Sequence, residues 1–256
     1  MTPAQRQGWE RDGFFIVESF APASTLEAMT ERIVALARAA ERGEDVSPAI
    51  VLPEPALASL EAPAEKKLSK LFRVHRQEPV FREFCAAPAT LDLVTPILGE
   101  EVDCFLSQFI FKHPGALGQP WHQDGWYFPF DRGPQVGLWL AVTEARLDNG
   151  PLWVLPGSHL EPVHEVVPDR RPNAQFSYVE IVDHDMERAV PVRMEPGDLL
   201  VFHSHLMHRS TDNQSDRGRA AMVFHYGEAG TVDRSEEKFG FVPPNVDWMP
   251  VRRRAA

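Results

Sequence analysis

The residues most suited to metal chemistry lie in the short motif Trp121–Gly125, which contains His122 and Asp124. If this motif is a strand, alternation places both side chains on the same face, where they reach one ion. His208 lies much later in the chain, just beyond a strand-like run, and is free to return to the same cavity. Two imidazoles and one carboxylate leave open coordination positions and suit iron(II). We therefore predict a metal site formed by His122, Asp124 and His208.

A candidate anion-binding arginine follows the last of these residues. Arg219 comes shortly after His208 on the next strand-like segment, where its guanidinium can bind a carboxylate through two hydrogen bonds. Arg217 lies on the same face of that strand and is an alternative. His203 and His205 form a competing pair of possible metal ligands. A His-x-Asp motif, a distant histidine and a nearby arginine in this order are rarer together than any one of them, so we favour the first set.

Helices are predicted early in the chain and strands later. Apolar residues recur at helical spacing over Thr25–Arg42, and a second helical region covers roughly Pro79–Leu98. Four prolines between them predict an irregular connection over Glu44–Ala64. After Glu101, short apolar runs bounded by turn residues predict an antiparallel sandwich or barrel. These runs are Cys104–Lys112, Val136–Thr143, Leu152–Leu155, Asp198–His203 and Ala220–Tyr226.

The segment Glu161–Val190 is polar, contains prolines and has weak periodicity. Such a segment between strands is a candidate active-site lid. The chain has 256 residues, of which 43% are hydrophobic, and so can bury one sizeable core. We therefore predict a single domain over residues 1–256.

Composition argues against several classes of partner. The formal net charge of −11 disfavours binding to nucleic acid or to an anionic membrane surface. The arginines at 252–254 form a short terminal run of the kind that is usually solvated. Only two cysteines are present, too few for a disulfide framework, and no apolar run is long enough to span a bilayer. We expect a cytoplasmic protein without membrane insertion.

Three stretches of sequence resemble the phytanoyl-CoA dioxygenase family. His122–Phe130 resembles its iron-binding segment, Asn149–His159 a turn and strand typical of the family, and His208–Arg219 its distal histidine block with the arginine in register. The similarity begins near Gln7–Phe15 and continues to about Glu228. Within the family, the chain looks closest to the phytanoyl-CoA dioxygenase domain-containing proteins.

The resemblance implies a mainly β fold with flanking helices, whose core is a double-stranded β-helix (a cupin-like jelly roll). It divides the chain into a helical N-terminal part over about residues 1–100, a jelly-roll core over about 101–228, and a C-terminal tail. Iron(II), 2-oxoglutarate as co-substrate and O₂ are the implied cofactors. The positions matching the family's 2-oxoglutarate contacts are Lys70, Gln108, Trp139, Ser210 and Arg219.

The same resemblance gives His122, Asp124 and His208 both metal-binding and catalytic roles. Related halogenases carry a small residue where this chain has Asp124, so hydroxylation of a small molecule, with formation of succinate and CO₂, is the predicted reaction. A substrate pocket walled by aromatic residues is expected, with Arg132 near its mouth. The expected wall residues are Trp126, Phe128, Phe130 and His225.

Other interpretations remain open at this point. Trp139 and the wall residues are equally consistent with core packing, and Lys70 with a solvated helix. A jelly roll without catalytic activity would be a binding protein, because a fold does not determine a function. A cupin-type metal-dependent hydrolase or isomerase would give more weight to His203 and His205. The substrate and the oligomeric state cannot be read from the sequence.

Overall fold

The computed structural model describes residues 1–57, 59–175 and 177–254. The helices are α1 Pro3–Asp12, α2 Ala23–Glu41, α3 Pro79–Ala86, α4 Pro88–Leu98, α5 Asp124–Tyr127 and α6 Ser235–Phe239. The strands are β1 Phe14–Val17, β2 Ile50–Pro53, β3 Leu68–Phe72, β4 Val102–Lys112, β5 Val136–Ala141, β6 Leu152–Val154, β7 Val167–Pro168, β8 Val179–Glu180, β9 Val190–Val192, β10 Leu199–His203, β11 His208–Ser210, β12 Arg219–Glu228 and β13 Met249–Arg252. Single 3₁₀ turns cover Pro55–Leu57, Ala64–Lys66 and Ser158–Leu160.

Two antiparallel sheets organise these elements. The larger sheet has eight strands in the order β1-β10-β5-β12-β4-β3-β2, and β13 also pairs with β4. The smaller sheet has the order β11-β6-β9, and β7 pairs with β8 in a separate two-stranded ribbon. Antiparallel strands with flanking helices were predicted from the sequence, and this part of the prediction is confirmed.

The central strands are buried on both faces. Leu138 and Leu140 of β5 belong to the core shared with α2, α3 and α4, whereas Trp139 and Ala141 belong to the core shared with β6 and β9. This division follows from the two-residue period of a strand. Burial of both faces explains why β5 and β12 are almost continuously apolar in sequence.

The helices agree with the apolar spacing and are interrupted where proline requires it. The apolar face of α2 is buried against the larger sheet, and the helix covers nearly all of the predicted Thr25–Arg42. The predicted region Pro79–Leu98 consists of two helices that meet at Ala87. Pro88 occupies the first turn of α4, and proline pushes the preceding residue into an extended conformation, so Ala87 ends α3.

Four further strands lie outside the predicted β region. The expected irregular connection Glu44–Ala64 contains β2, an edge strand in which Pro53 occupies the last position. The expected helical part before residue 100 also contributes β1 and β3 to the larger sheet, so this part is not only helical. The expected tail after Glu228 contains α6 and β13, and Arg253 makes an ion pair with Asp103. Tertiary pairing supplies the stability that such short strands lack alone.

Within the described ranges, no helix combines the length and the apolar composition that crossing a membrane requires.

Candidate metal centre

The three predicted metal ligands, called here the central triad, are His122, Asp124 and His208. His122 and His208 face each other in an isolated antiparallel bridge, in which each backbone N–H donates to the other residue's carbonyl at 2.9 Å. Asp124 does not continue an extended strand, as alternation had predicted, but is the first residue of α5. The helical turn after Gln123 nevertheless brings the carboxylate back beside both imidazoles.

The ligand atoms of the central triad converge on one point. The Nε2 atoms of His122 and His208 lie 3.6 and 3.7 Å from Oδ1 of Asp124. The ligand atoms of all three residues lie within 4.8 Å of one another, and all three residues are buried. The structure therefore brings together the residues that the sequence pattern had selected.

Backbone carbonyls determine which nitrogen of each imidazole carries the proton. Nδ1 of His122 lies 2.7 Å from the carbonyl oxygen of Pro120, and Nδ1 of His208 lies 2.9 Å from that of Leu206. A carbonyl oxygen only accepts hydrogen bonds, so each Nδ1 must be the N–H donor, and each neutral ring then presents a lone pair at Nε2. Two such lone pairs and the Asp124 carboxylate lie within 4.8 Å of one another. This donor set fits a divalent metal ion.

The pKa values agree with this protonation. Burial, together with the neighbouring His122, lowers the pKa of His208 to about 4, so its ring is neutral near pH 7. Burial alone would raise the pKa of Asp124. The attraction of His208 and the hydrogen bond from His225 outweigh burial and hold that pKa well below its usual range.

His225 supports the carboxylate rather than only walling a pocket. Its Nε2–H donates to Oδ2 of Asp124 at 2.8 Å, which leaves Oδ1 of Asp124 directed at the two histidines. The rings of Phe105, Phe128 and Phe202 pack around His225, and among the described residues its Nδ1 is buried without a hydrogen-bond partner. From the sequence, His225 was predicted only as a wall residue, without a contact to a proposed metal ligand.

Arg219 forms a buried cationic site on β12. Its Nε and Nη2 donate to the carbonyl oxygen of Gly150 at 3.2 and 2.7 Å, and its guanidinium lies 5.3 Å from the ring centre of Trp139. Its Nη1 is buried and has no partner among the described residues. Burial lowers the pKa of Arg219 to about 10, which still leaves it charged near pH 7. An unpaired N–H on a buried cation fits a carboxylate, whereas the alternative, Arg217, is exposed.

Lys112 lies beside this arginine and was not selected from the sequence. It is directly opposite Arg219 in the β4–β12 pairing. Its Nζ donates to Oγ of Ser210 at 2.8 Å and to the carbonyl of Thr211 at 2.7 Å. Burial and the charge of Arg219 hold the pKa of Lys112 well below its usual range. A lysine at the end of an apolar strand was the only signal that could have revealed it.

The remaining predicted co-substrate residues lie on neighbouring strands. Gln108 of β4 and Trp139 of β5 are both paired with Val223 of β12, so the three residues form a row across the sheet. Lys70 is on the buried strand β3, not on a solvated helix, and its Nζ lies 5.0 Å from the ring centre of Tyr178. The charges of Lys70 and Arg219 both act on Lys112, so these residues form one cationic cluster, whose ligand stays a prediction.

The expected pocket wall is divided between the core and the surface. Phe128 and Phe130 pack against Phe105 and belong to an aromatic cluster. Trp126 is half-buried, with Nζ of Lys238 4.6 Å from its ring centre. Arg132, expected near the mouth, is exposed and pairs with Glu228 at 3.1 Å.

The segment Glu161–Val190, predicted as a lid, lies against the stretch around His122 and Asp124. The N–H of Ile181 donates to the carbonyl of Trp121 at 2.8 Å, and the hydroxyl of Tyr127 donates to the carbonyl of Ser177 at 3.0 Å. The segment also contains β7 and β8. Its position agrees with a lid, and its movement stays a prediction.

The competing histidine pair has other contacts. The backbone N–H of His205 donates to Nδ1 of His203 at 2.9 Å, and the His203 ring packs against Trp9. Neither histidine belongs to a group of three potential metal ligands in the described ranges.

Comparison with known proteins gives one family. The family model described as "Phytanoyl-CoA dioxygenase (PhyH)" matches residues 9–221. The rat phytanoyl-CoA dioxygenase domain-containing protein 1 is 36% identical over 180 residues, which cover 66% of this chain and 61% of the rat protein. The chain thus matches less than two thirds of that relative's length. Rice phytanoyl-CoA dioxygenase 1 is 26% identical over 250 residues, covering 88% of each chain.

Solved structures support the fold. The non-haem monooxygenase ThoJ is 23% identical, with a TM-score of 0.71 over 97% of this chain and 84% of ThoJ. EctD from S. alaskensis, solved with 2-oxoglutarate and 5-hydroxyectoine, is 21% identical, with a TM-score of 0.68 over 89% of this chain and 76% of EctD. At these identities the likeness concerns the fold, and it confirms the predicted cupin-like jelly roll.

Proposed function

Because the chain belongs to the phytanoyl-CoA dioxygenase family, we propose that it hydroxylates a C–H bond of a small molecule with iron(II), 2-oxoglutarate and O₂, forming succinate and CO₂. The family resemblance seen in the sequence is confirmed, and the family consists of 2-oxoglutarate-dependent non-haem iron oxygenases, the enzyme class predicted. Iron and 2-oxoglutarate are the cofactors of that class. The reaction of this chain and its substrate are the proposal.

The observation that carries this proposal is the pairing of two complementary sites in one fold. The central triad offers three lone-pair donors to a metal ion, and Arg219 offers a buried, unpaired N–H to a carboxylate. Alternation along β12 places Arg219 and His225, which supports Asp124, on the same face of the strand. A dicarboxylate that binds a metal at one end and a cation at the other matches this arrangement.

Each residue then has a separate task. His122, Asp124 and His208 would hold the iron, and Arg219 would hold the far carboxylate of 2-oxoglutarate, with Trp139 keeping water from the guanidinium. When bound, the iron and 2-oxoglutarate supply the oxidising chemistry, which the protein itself lacks. The protein contributes a rigid ligand geometry and a dry, oriented binding site.

The carboxylate of Asp124 favours hydroxylation over halogenation. It occupies the ligand position that related halogenases leave to a halide ion, and its hydrogen bond from His225 fixes it there. Loss of that carboxylate would open a coordination position. The choice between hydroxylation and another oxidation depends on the substrate pose.

We propose a small-molecule substrate, which need not be an acyl-CoA. Proteins with this fold bind different compounds: EctD was solved with 5-hydroxyectoine, and the epimerase SnoN, which is 18% identical to this chain with a TM-score of 0.66, was solved with nogalamycin RO. The formal net charge of −11 disfavours a polyphosphate ligand. A metabolite screen coupled to succinate release would identify the substrate class.

We also propose a cytoplasmic location. Cys85 and Cys104 are buried and not bonded to each other, as expected in a reducing compartment. The human and bovine phytanoyl-CoA dioxygenases that this chain resembles are named peroxisomal. Imaging of the tagged full chain distinguishes the two locations.

Anaerobic spectroscopy tests the proposed activity. Iron(II) and 2-oxoglutarate added to the metal-free protein should produce the visible charge-transfer band of chelated 2-oxoglutarate, and admission of O₂ should then release succinate. A band without succinate would indicate a binding protein that retains its metal. Absence of the band with iron bound would exclude the 2-oxoglutarate site and favour a cupin-type hydrolase or isomerase.

A further inference from the structure

A second group of potential metal ligands lies on the segment Glu161–Val190. This group, called here the segment triad, consists of Glu161, His164 and His184. The Nε2 atoms of His164 and His184 lie 2.9 and 3.0 Å from the same oxygen, Oε2 of Glu161. Within the described ranges, only this group and the central triad place three potential ligand atoms within 4.8 Å of one another.

The hydrogen bonds of His184 leave its Nε2 facing the Glu161 carboxylate without a proton to share. Nδ1 of His184 lies 2.9 Å from the carbonyl oxygen of Asp185, so Nδ1 must donate. In the neutral ring, Nε2 then presents a lone pair to the carboxylate oxygen of Glu161 only 3.0 Å away. Two lone pairs at this distance repel each other. The arrangement is stable only with a proton or a metal ion between them.

The same pattern orients both histidines of the central triad. There, too, a backbone carbonyl holds Nδ1–H and leaves Nε2 to face a shared carboxylate. Metal-binding histidines commonly donate their other ring N–H to such an oxygen. The geometry of His184 is therefore that of a metal ligand as well as that of an imidazolium.

We propose that the segment triad binds a second divalent transition-metal ion, with Zn²⁺ as the best match. Two histidines and one glutamate are a known zinc ligand set, in which water completes the tetrahedron. Zinc–ligand bonds of about 2.0–2.1 Å place tetrahedral ligand atoms roughly 3.3 Å apart. The observed separations of 2.9 and 3.0 Å need to increase by only a few tenths of an ångström.

The segment triad is accessible to solvent. The side chains of His164, His184 and Glu161 are 24%, 19% and 40% exposed. An ion can therefore reach the group from solvent without opening the core. The segment triad takes no part in the proposed reaction with 2-oxoglutarate. Metal binding at this site therefore does not depend on the proposed oxygenase activity.

The position of the segment triad indicates what the ion does. Glu161 and His164 lie at the start of the segment and His184 near its end, so one ion would join the two ends. The backbone N–H of His164 donates to Oε1 of Gln123 at 2.8 Å, and Nε2 of Gln123 donates to the carbonyl of Pro162 at 3.1 Å. Gln123 lies between two members of the central triad in sequence. A bound ion would hold the segment closed against the central triad.

Metal titration tests the site. The full chain, stripped with a chelator, is titrated with Zn²⁺ against a chromophoric competitor. We expect two equivalents in the wild type and in the control Glu165→Gln, which removes a neighbouring exposed carboxylate that is not a ligand. His164→Gln and His184→Gln should each weaken one equivalent by at least about tenfold. His208→Ala should weaken the other.

Two outcomes would overturn the proposal. One is a single equivalent in the wild type, which would mean that a proton alone balances the segment triad. The other is a second equivalent that survives both glutamine substitutions, which would place the ion on other surface groups. Circular dichroism of each variant confirms that the fold is retained.

Limited proteolysis tests the clamp. Trypsin can cut the segment after Arg170 and Arg188, and Zn²⁺ should slow these cuts in the wild type and in Glu165→Gln but not in His184→Gln. Equal rates with and without Zn²⁺ in the wild type would exclude the clamping role. Measurements without 2-oxoglutarate keep this result independent of oxygenase activity.

Discussion

The central triad and the segment triad contain the same kinds of ligand but have different surroundings. Both have two imidazoles and one carboxylate. The central triad is buried, two carbonyls orient its histidines, and His225 holds its carboxylate. In the segment triad, one carbonyl orients one histidine and the side chains are partly exposed. Support and burial, rather than ligand type, therefore separate a candidate reaction centre from a candidate clamp.

Removing a ligand should have the largest effect at the central triad. His208→Ala removes one of the three proposed metal ligands, so we expect 2-oxoglutarate turnover to fall below detection while the fold is retained. His184→Ala is expected to keep measurable turnover. Succinate release from both iron-loaded variants measures the difference. Full turnover in His208→Ala would refute its assignment as a ligand.

The buried arginine should control co-substrate binding. Arg219→Ala removes a charge-assisted contact worth about 1.5–3 kcal/mol, which corresponds to a roughly 10- to 160-fold higher KM for 2-oxoglutarate. Arg217→Ala is the matched control, because this arginine is exposed and lies only two residues before Arg219, just ahead of β12. Initial rates at varied 2-oxoglutarate concentrations give the KM of each variant. A raised KM in Arg217→Ala with an unchanged KM in Arg219→Ala would instead assign the carboxylate contact to Arg217.

The support of Asp124 should be measurable separately from the ligands. His225→Leu removes the Nε2–H donor, and such changes behind a metal ligand lower metal affinity or activity by about 10- to 100-fold. His225→Gln keeps an N–H donor and should restore part of the loss. Iron(II) titration reports this effect. Equal iron affinity in the wild type and both variants would restrict His225 to core packing.

A buried histidine outside both triads should make the stability of the protein depend on pH. His75 is buried between Ser107 and the backbone of Asp247, and burial lowers its pKa to about 4. Because its unfolded pKa is near 6.5, the unfolded chain binds more protons below that pH. Its stabilising contribution is complete above about pH 6.5 and is lost as the pH falls towards 4, by up to roughly 3 kcal/mol.

Urea unfolding at pH 7 and pH 5 tests this contribution. The wild type should lose more free energy of unfolding between the two pH values than His75→Gln does. An identical loss in both proteins would assign the pH dependence to other groups.

The smallest effect is expected at the segment triad without metal. Its ion pairs are partly exposed, and such pairs contribute about 0.2–1 kcal/mol. His184→Ala should therefore change the free energy of unfolding of the metal-free protein by less than about 1 kcal/mol. Thermal or urea unfolding measures it. A much larger loss would show that the cluster supports the fold without any ion.

Strong sequence patterns predicted much of the fold. The apolar period of α2 and the buried runs of β5 and β12 were recognisable because both faces of these strands are covered. The edge strand β2 and the terminal strand β13 were missed, because their few residues are ordered mainly by pairing with β3 and β4.

The candidate centre was predicted for a partly incorrect local reason. Strand alternation was expected to align His122 with Asp124, whereas Asp124 begins a helical turn. Lys112 was missed because a lysine at a strand end usually lies in solvent. Its burial results from pairing opposite Arg219, which is distant in sequence.

The sequence by itself determined the family, the mainly β architecture and the ligand types of the central triad, because motif order and periodicity are local properties of the chain. Tertiary structure decided which nitrogen of His208 faces the candidate metal position, what supports Asp124, and that His184 meets Glu161. These features depend on carbonyls and side chains that distant segments bring within hydrogen-bonding distance. Protonation and metal preference follow from such contacts, and no spacing in the sequence records them.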